Sequence, residues 1–257
     1  MKSLLVPINF TDNAAGAARY AADLALAVEA DIHLLHVIDL GFDFEETEQK
    51  GRDLLNSMRD ELVERSHGQV AITTSLRLGD VETQIEECCL RMNPFAVVMG
   101  ADDANFHGGF AEYHVAKAVA RIRKPLLVIP AGESFHAVRK VVLACEADDV
   151  ASEIPVPLDF LKQLRSYFAC SFDIISVSGK NQQALSDIFK LVLHDNFPEL
   201  HFVRSSNIEE GIRNYLKNNR ADWLMVFPKK HRLLEFHSSR ARRIVSHSPI
   251  PVLSVRA

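Results

Sequence analysis

Two stretches of the chain, about half its length apart, spell the same order of elements. Residues 95–131 read F-A-V-V-M-G, a loop, then H-V-A-K-A-V-A-R-I-R-K-P-L-L-V-I-P-A. Residues 221–257 read A-D-W-L-M-V-F-P, a loop, then S-S-R-A-R-R-I-V-S-H-S-P-I-P-V-L-S-V-R-A. Each is an apolar strand, a loop, an amphipathic helix, a proline and a second apolar strand. A repeat on that scale points to two copies of one domain rather than a single large fold. The remaining pattern agrees. Near-continuous apolar runs alternate with helical periodicity, as expected of a parallel sheet covered by helices on both faces.

The first copy is expected to hold strands at 3–8, 31–38, 69–78, 95–100 and 125–130. Helices are expected at 14–30, 45–66, 81–92 and 111–123. Thr11, Asp12 and Asn13 offer caps for the first helix, whose Ala17, Ala21, Leu24 and Val28 share one face. The second copy is expected to place strands at 138–145, 172–177, 200–204, 223–227 and 250–255. Its helices fall at 157–169, 180–195, 208–219 and 238–247. The polar joint 132–136 separates domain 1 (residues 1–131) from domain 2 (137–257). Two doubly wound, mainly parallel five-stranded α/β sheets follow from this pattern.

Composition narrows the class. The chain has 257 residues, 47% hydrophobic and 25% charged, as in a globular domain. No apolar run approaches the ~18 residues needed to cross a bilayer. The opening M-K-S-L-L-V-P-I-N-F-T-D meets Asn and Asp too soon for a signal peptide, so a cytoplasmic protein is expected. Cys88, Cys89, Cys145 and Cys170 form no C-x-x-C, which leaves buried free thiols as the expectation. Charge is unevenly shared. Residues 1–130 hold 12 Lys and Arg against 20 Asp and Glu, while residues 131–257 hold 17 against 14. That asymmetry is too small to mark a nucleic-acid binder.

L-L-V-P-I-N-F-T-D-N-A-A-G-A-A-R-Y-A, I-H-L-L-H-V-I and V-V-M-G followed by V-A-K-A-V-A-R-I-R-K-P-L-L-V-I-P together carry a likeness. The chain resembles a tandem universal stress protein, with two UspA-like domains in one polypeptide. The resemblance implies an adenine nucleotide alpha hydrolase-like fold. It also implies pairing of the two domains through their fifth strands as an internal pseudo-dimer, with a further homodimer as an option. In nucleotide-binding members an acidic residue ends the first strand near the adenine. A G-x-x-G-x9-G-[ST] pattern follows the fourth strand, and its bare backbone N–H groups and helix N-terminus receive phosphates.

Carried over residue by residue, the resemblance assigns a vestigial nucleotide pocket to Pro7, Asn9, Val37, Met99 and Gly100. The departures are systematic. Asn9 replaces the acid. Asp103 stands at the second glycine, adding bulk and a negative charge. Tyr113-His114 or Glu112-Tyr113 stand at the final Gly-Ser. Gly108-Gly109 lie out of register; they read as a flexible turn, with a backbone nest for an anion as the alternative. In the second domain Cys145-Glu-Ala-Asp-Asp149 replaces the opening loop. Lys229, Lys230, His231 and Arg232 follow the fourth strand, with Ser238-Ser239 where the helix-opening Gly-Ser would be. Lys229, Lys230, Arg232, Ser238 and Ser239 form a candidate anion-binding cluster; a solvated basic loop is the plainer alternative.

His33 and His36, three apart on one strand, are expected on opposite faces. Neither they nor His107, His114, His231 and His237 show a zinc spacing, and Asp102-Asp103 lacks a phosphate to bridge through magnesium. No Ser-His-Asp arrangement, G-x-S-x-G elbow or H-E-x-x-H is present. The expectation is a non-catalytic stress-response protein that binds other proteins or a small ligand, without metal or required cofactor. The alternative is an ATP- or AMP-binding protein using the first domain, with at most very slow ATPase activity.

Overall fold

Apolar runs too short for helices, each flanked by a helical repeat, make the strands in a computed structural model of the protein. It describes residues 2–38, 44–101, 111–144, 158–177, 199–203, 205, 207–227, 244–245 and 248–255. The chain divides into two compact units, Met1–Phe135 and His136–Ala257.

In the first unit the strands are β1 (Lys2–Pro7), β2 (Ala30–Ile38), β3 (Ile72–Leu78), β4 (Ala96–Gly100) and β5 (Leu126–Ile129). The helices between them are α1 (Asp12–Val28), α2 (Phe44–Arg65), α3 (Val81–Met92) and α4 (Ala111–Arg121). The sheet runs β3-β2-β1-β4-β5 and every pair is parallel. Leu4, Leu5, Val6, Leu34, Leu35, Val97 and Val98 are fully buried, and each such side chain contributes about 1.5–3 kcal/mol. Alanines 17, 18, 21, 22 and 25 are buried as well. Small side chains there let α1 lie close on the sheet.

Helix α1 is set by its ends. Thr11 caps it by accepting from the Ala14 N–H, and Glu29 stops it with φ 53°. The expected 14–30 helix therefore begins and ends two residues earlier, because a left-handed residue cannot continue it. Strand β3 likewise starts at Ile72 rather than residue 69. Gly68 (φ 69°) donates to Val63 O and Gln69 to Ser66 O, which consumes residues 66–69 in a turn.

In the second unit the described strands are β6 (Lys140–Ala144), β7 (Ser171–Ser176), β8 (Glu199–Phe202), β9 (Trp223–Val226) and β10 (Val252–Ser254). The described helices are α5 (Leu158–Phe168) and α6 (Ile208–Asn218). The order is β10-β9-β6-β7-β8, again all parallel. The expected 180–195 helix lies outside the described residues, as does all of the 238–247 helix except 244–245. Val141 pairs with Trp223 as Leu4 pairs with Ala96, so the two units repeat one register. Each reverses its strand order once, between β1 and β4 and between β6 and β9. Ligands of open α/β sheets bind beyond the carboxyl ends of the strands at such a reversal.

Candidate functional site

Beyond Pro7 the chain leaves β1 through Ile8, whose N–H donates to Leu35 O at 2.9 Å. Asn9 follows, exposed. Its Oδ1 accepts the Thr11 N–H at 3.3 Å and the Thr11 hydroxyl at 2.8 Å. Because the backbone N–H can only donate, this bond fixes which end of the carboxamide points inward. The Thr11 hydroxyl oxygen in turn accepts from Ala14 N–H. Asn9 thus serves the cap of α1 with its acceptor and turns its Nδ2 donors outward.

Gly100 closes the other side. A Cβ there would lie 2.6 Å from the Asn13 carbonyl oxygen and 2.8 Å from its carbon. The first turn of α1 therefore already occupies the space left by the missing side chain. Asn13 Nδ2 also donates to Ala101 O at 3.2 Å. The sequence reading assigns this glycine to a phosphate approach; the packing of α1 on β4 accounts for it without a ligand. Met99 is buried, while Pro7 and Val37 are half-buried. Pro7 pairs with Leu35, two residues before Val37. The β1–β4 register, carried two residues beyond Leu5–Val97, sets Pro7 beside Met99. These residues gather at one carboxyl end of the sheet. Residues 102–110, including Asp103, Gly108 and Gly109, lie outside the described residues. So do Lys229, Lys230, His231, Arg232, Ser238 and Ser239, and so does the Cys145–Asp149 loop beyond Ala144.

His33 and His36 diverge. His33 spans to β3, with Nδ1 2.8 Å from Thr73 Oγ1 and Nε2 2.7 Å from Ser75 Oγ. Burial lowers its pKa, and Arg91 and Arg77 lower it further. His36 Nδ1 donates to Ile8 O at 2.8 Å, and its ring meets Phe10 at 4.6 Å. Its pKa is lowered by burial, against the raising effect of the Ile8 bond.

The second unit carries a polar cluster that the sequence reading missed. Asp173 is 3% exposed. Its Oδ2 accepts from Lys140 Nζ at 2.8 Å and from the Tyr215 hydroxyl at 3.1 Å, with His201 Nε2 at 3.9 Å. Val142 pairs with Asp173 as Leu5 pairs with His33, so both units put a polar group at the same repeat position. Its only sequence signal is an aspartate inside the apolar S-F-D-I-I-S. Nearby, Asp222 accepts from the Arg139 and Lys140 N–H groups and bonds His136 Nε2, tying β6 to the turn before β9. This cluster lies toward the amino ends of the strands, away from the carboxyl-end crevice. Cys88, Cys89 and Cys170 are buried free thiols. Burial pushes Cys89 up to about 12 and Cys170 to about 11, which keeps them protonated and unreactive. Among the described residues, no group of three or more His, Cys, Asp and Glu side chains is placed to hold a metal ion. Among them also, no helix is long and apolar enough to cross a membrane.

Fold and site together define a doubly wound α/β protein whose strand order reverses once in each repeat. The universal stress protein family model matches residues 1–130, and the chain belongs to that family. Solved structures extend the likeness of fold over both units. A universal stress protein from Archaeoglobus fulgidus DSM 4304 is 15% identical, with a TM-score of 0.72 over 99% of this chain and 96% of its own. A functionally unknown protein from Pseudomonas aeruginosa PAO1 is 13% identical, with a TM-score of 0.65 over 100% of this chain and 92% of its own. No curated protein matches the sequence.

Proposed function

We propose that this universal stress protein is a cytoplasmic, non-catalytic binding or regulatory protein that has given up tight binding of nucleoside polyphosphates. One observation carries the reading. Two of the five residues that resemble nucleotide contacts in the first unit are engaged within the protein. Gly100 makes room for the Asn13 backbone, and the Asn9 acceptor serves Thr11. Asn9 also lacks the charge of the family's acid, and Asp103 puts a negative charge at the second glycine of the phosphate pattern in the sequence. Exposed charges act over ~8 Å at physiological salt. The protein then acts through contacts with other proteins or with a different small ligand. Lys229, Lys230 and Arg232, with Ser238 and Ser239, remain the sequence's candidate for receiving an acidic group or partner.

Thermal-shift titration tests this. Millimolar ATP or AMP is expected to leave the melting temperature unchanged, whereas a native-state ligand raises it with concentration. The outward Nδ2 donors of Asn9 favour the second reading, in which ATP or AMP binds the first unit through its base with the phosphates loosely held. A saturable rise that Asn9→Ala removes establishes that reading instead. Asn9→Ala is the better probe, because any side chain at residue 100 would disturb α1. Mass spectrometry of small molecules released from the purified protein addresses the ligand directly.

A further inference from the structure

Asn9 stands where the chain leaves β1, and its carboxamide has a fixed orientation. The Thr11 N–H at 3.3 Å can only donate, so the atom facing it is Oδ1. The Thr11 hydroxyl donates to the same oxygen at 2.8 Å, while its own oxygen receives the Ala14 N–H that opens α1. Turning the amide over would set the Nδ2 hydrogens against the Thr11 N–H, donor against donor. Asn9 is exposed, so what its side chain offers a ligand is the pair of Nδ2 hydrogens. The other side-chain amide at this end of the sheet, Asn13, spends its Nδ2 on Ala101 O at 3.2 Å. Apolar surface lies alongside, where Pro7 and Val37 are half-buried.

We propose that Asn9 selects an uncharged 6-oxopurine, hypoxanthine or guanine as base or nucleoside, by donating from Nδ2 to its O6 and N7. The inference rests on the small-ligand reading above and names the class of that ligand. A side-chain amide pairs bidentately with adenine by donating to N7 and accepting from the 6-amino group. The accepting half needs Oδ1, which Thr11 already holds. An amino group would then meet the Nδ2 hydrogens with hydrogens of its own. A 6-oxopurine carries a carbonyl in that place, so the two neighbouring atoms O6 and N7 both accept. That is the edge a donor-only group reads. Charge argues against a phosphate on the ligand. Residues 1–130 hold 12 Lys and Arg against 20 Asp and Glu, and Asp12 lies exposed in the first turn of α1. Exposed charges act over ~8 Å at physiological salt, which disfavours a phosphate ester and leaves the base or nucleoside.

Nucleoside titrations of the full chain test the selection, with the Asn9 side-chain amide followed by NMR. Inosine and guanosine are expected to shift the Nδ2 signals saturably and to bind roughly tenfold more tightly than adenosine, the discrimination of one good base contact. A shift with only one of the two identifies its base as the ligand. Asn9→Asp keeps an acceptor for Thr11 and turns a second oxygen outward, so its preference is expected to reverse toward adenosine. The 7-deaza analogue of the preferred nucleoside, which lacks the N7 acceptor, is expected to bind wild type more weakly than its parent. Adenosine binding as tightly as inosine and guanosine overturns the inference while base binding at this end stands. No saturable shift with any of these nucleosides overturns both. A 6-oxopurine preference that survives Asn9→Asp also overturns the inference. Should that variant not fold, the 7-deaza comparison on wild type decides, and equal affinity for analogue and parent overturns it.

Discussion

At residue 100 the absence of a side chain is a packing requirement. The obstacle to a Cβ is the Asn13 carbonyl at 2.6 Å, a backbone atom at the start of a capped helix. It cannot swing aside as a side-chain tip would. Gly100→Ala should therefore displace the first turn of α1 and destabilise the protein by about 1–3 kcal/mol, the usual range for overpacking. Urea unfolding measures this, and a variant as stable as wild type would show that α1 yields freely. Asp173 presents the opposite case, a buried charge that needs its partners. Asp173→Ala removes the carboxylate that accepts from both Lys140 and the Tyr215 hydroxyl. Lys140 is about one-third exposed (36%) and can turn to water, so the loss should fall below the ~3–5 kcal/mol of a fully enclosed pair. A cost of about 1–3 kcal/mol is expected, that of leaving a buried polar group unsatisfied, read from the same unfolding curves.

Elements are bounded by single side chains acting as caps. Asp80 opens α3 by accepting from the Thr83 hydroxyl at 2.6 Å and the Thr83 N–H at 2.9 Å. Those bonds, the hydroxyl first, hold its pKa down at about 2. Since the folded value is depressed, the contribution of the charged cap is complete above the ordinary value of 3.8 and is lost as pH falls through about 2. Asp80→Ala should cost about 0.5–2 kcal/mol at neutral pH. The gap to wild type should narrow as the solution is acidified below 3.8, which denaturant titrations at several pH values check. The existence and type of the described elements were legible in the sequence because apolar runs and helical periodicity are local. Their ends were less so. Glu29 stops α1 by adopting a left-handed conformation, and nothing in the identity of a glutamate announces that. The strand-end positions of Pro7, Val37, Met99 and Gly100 were legible, because they follow from the same local pattern. The role of Gly100 was not, because it depends on Asn13, which a sequence pattern does not place against residue 100.

For the whole molecule, the repeat was legible because two register-equivalent sheets need the same apolar strands. What fills a shared position was not, because that depends on cross-strand neighbours. His33 in the first unit meets Thr73 and Ser75, whereas Asp173 in the second meets Lys140 and Tyr215. Among the described residues, the two histidines whose pKa values are lowered, His33 and His36, belong to the first unit, and burial is the leading cause at each. A depressed histidine stabilises the fold fully above its ordinary value of 6.5, and that stability drains as pH falls from there toward the folded value. Mild acid should therefore open residues 1–135 before residues 136–257. Hydrogen exchange resolved by peptide should show protection lost from β1, β2 and β3 while β6, β7 and β9 keep theirs. Replacing both histidines, His33→Gln with His36→Asn, should bring the two units into step. Loss of protection first in the second unit would mean that its own ionic cluster, rather than buried imidazole, governs how the chain meets acid.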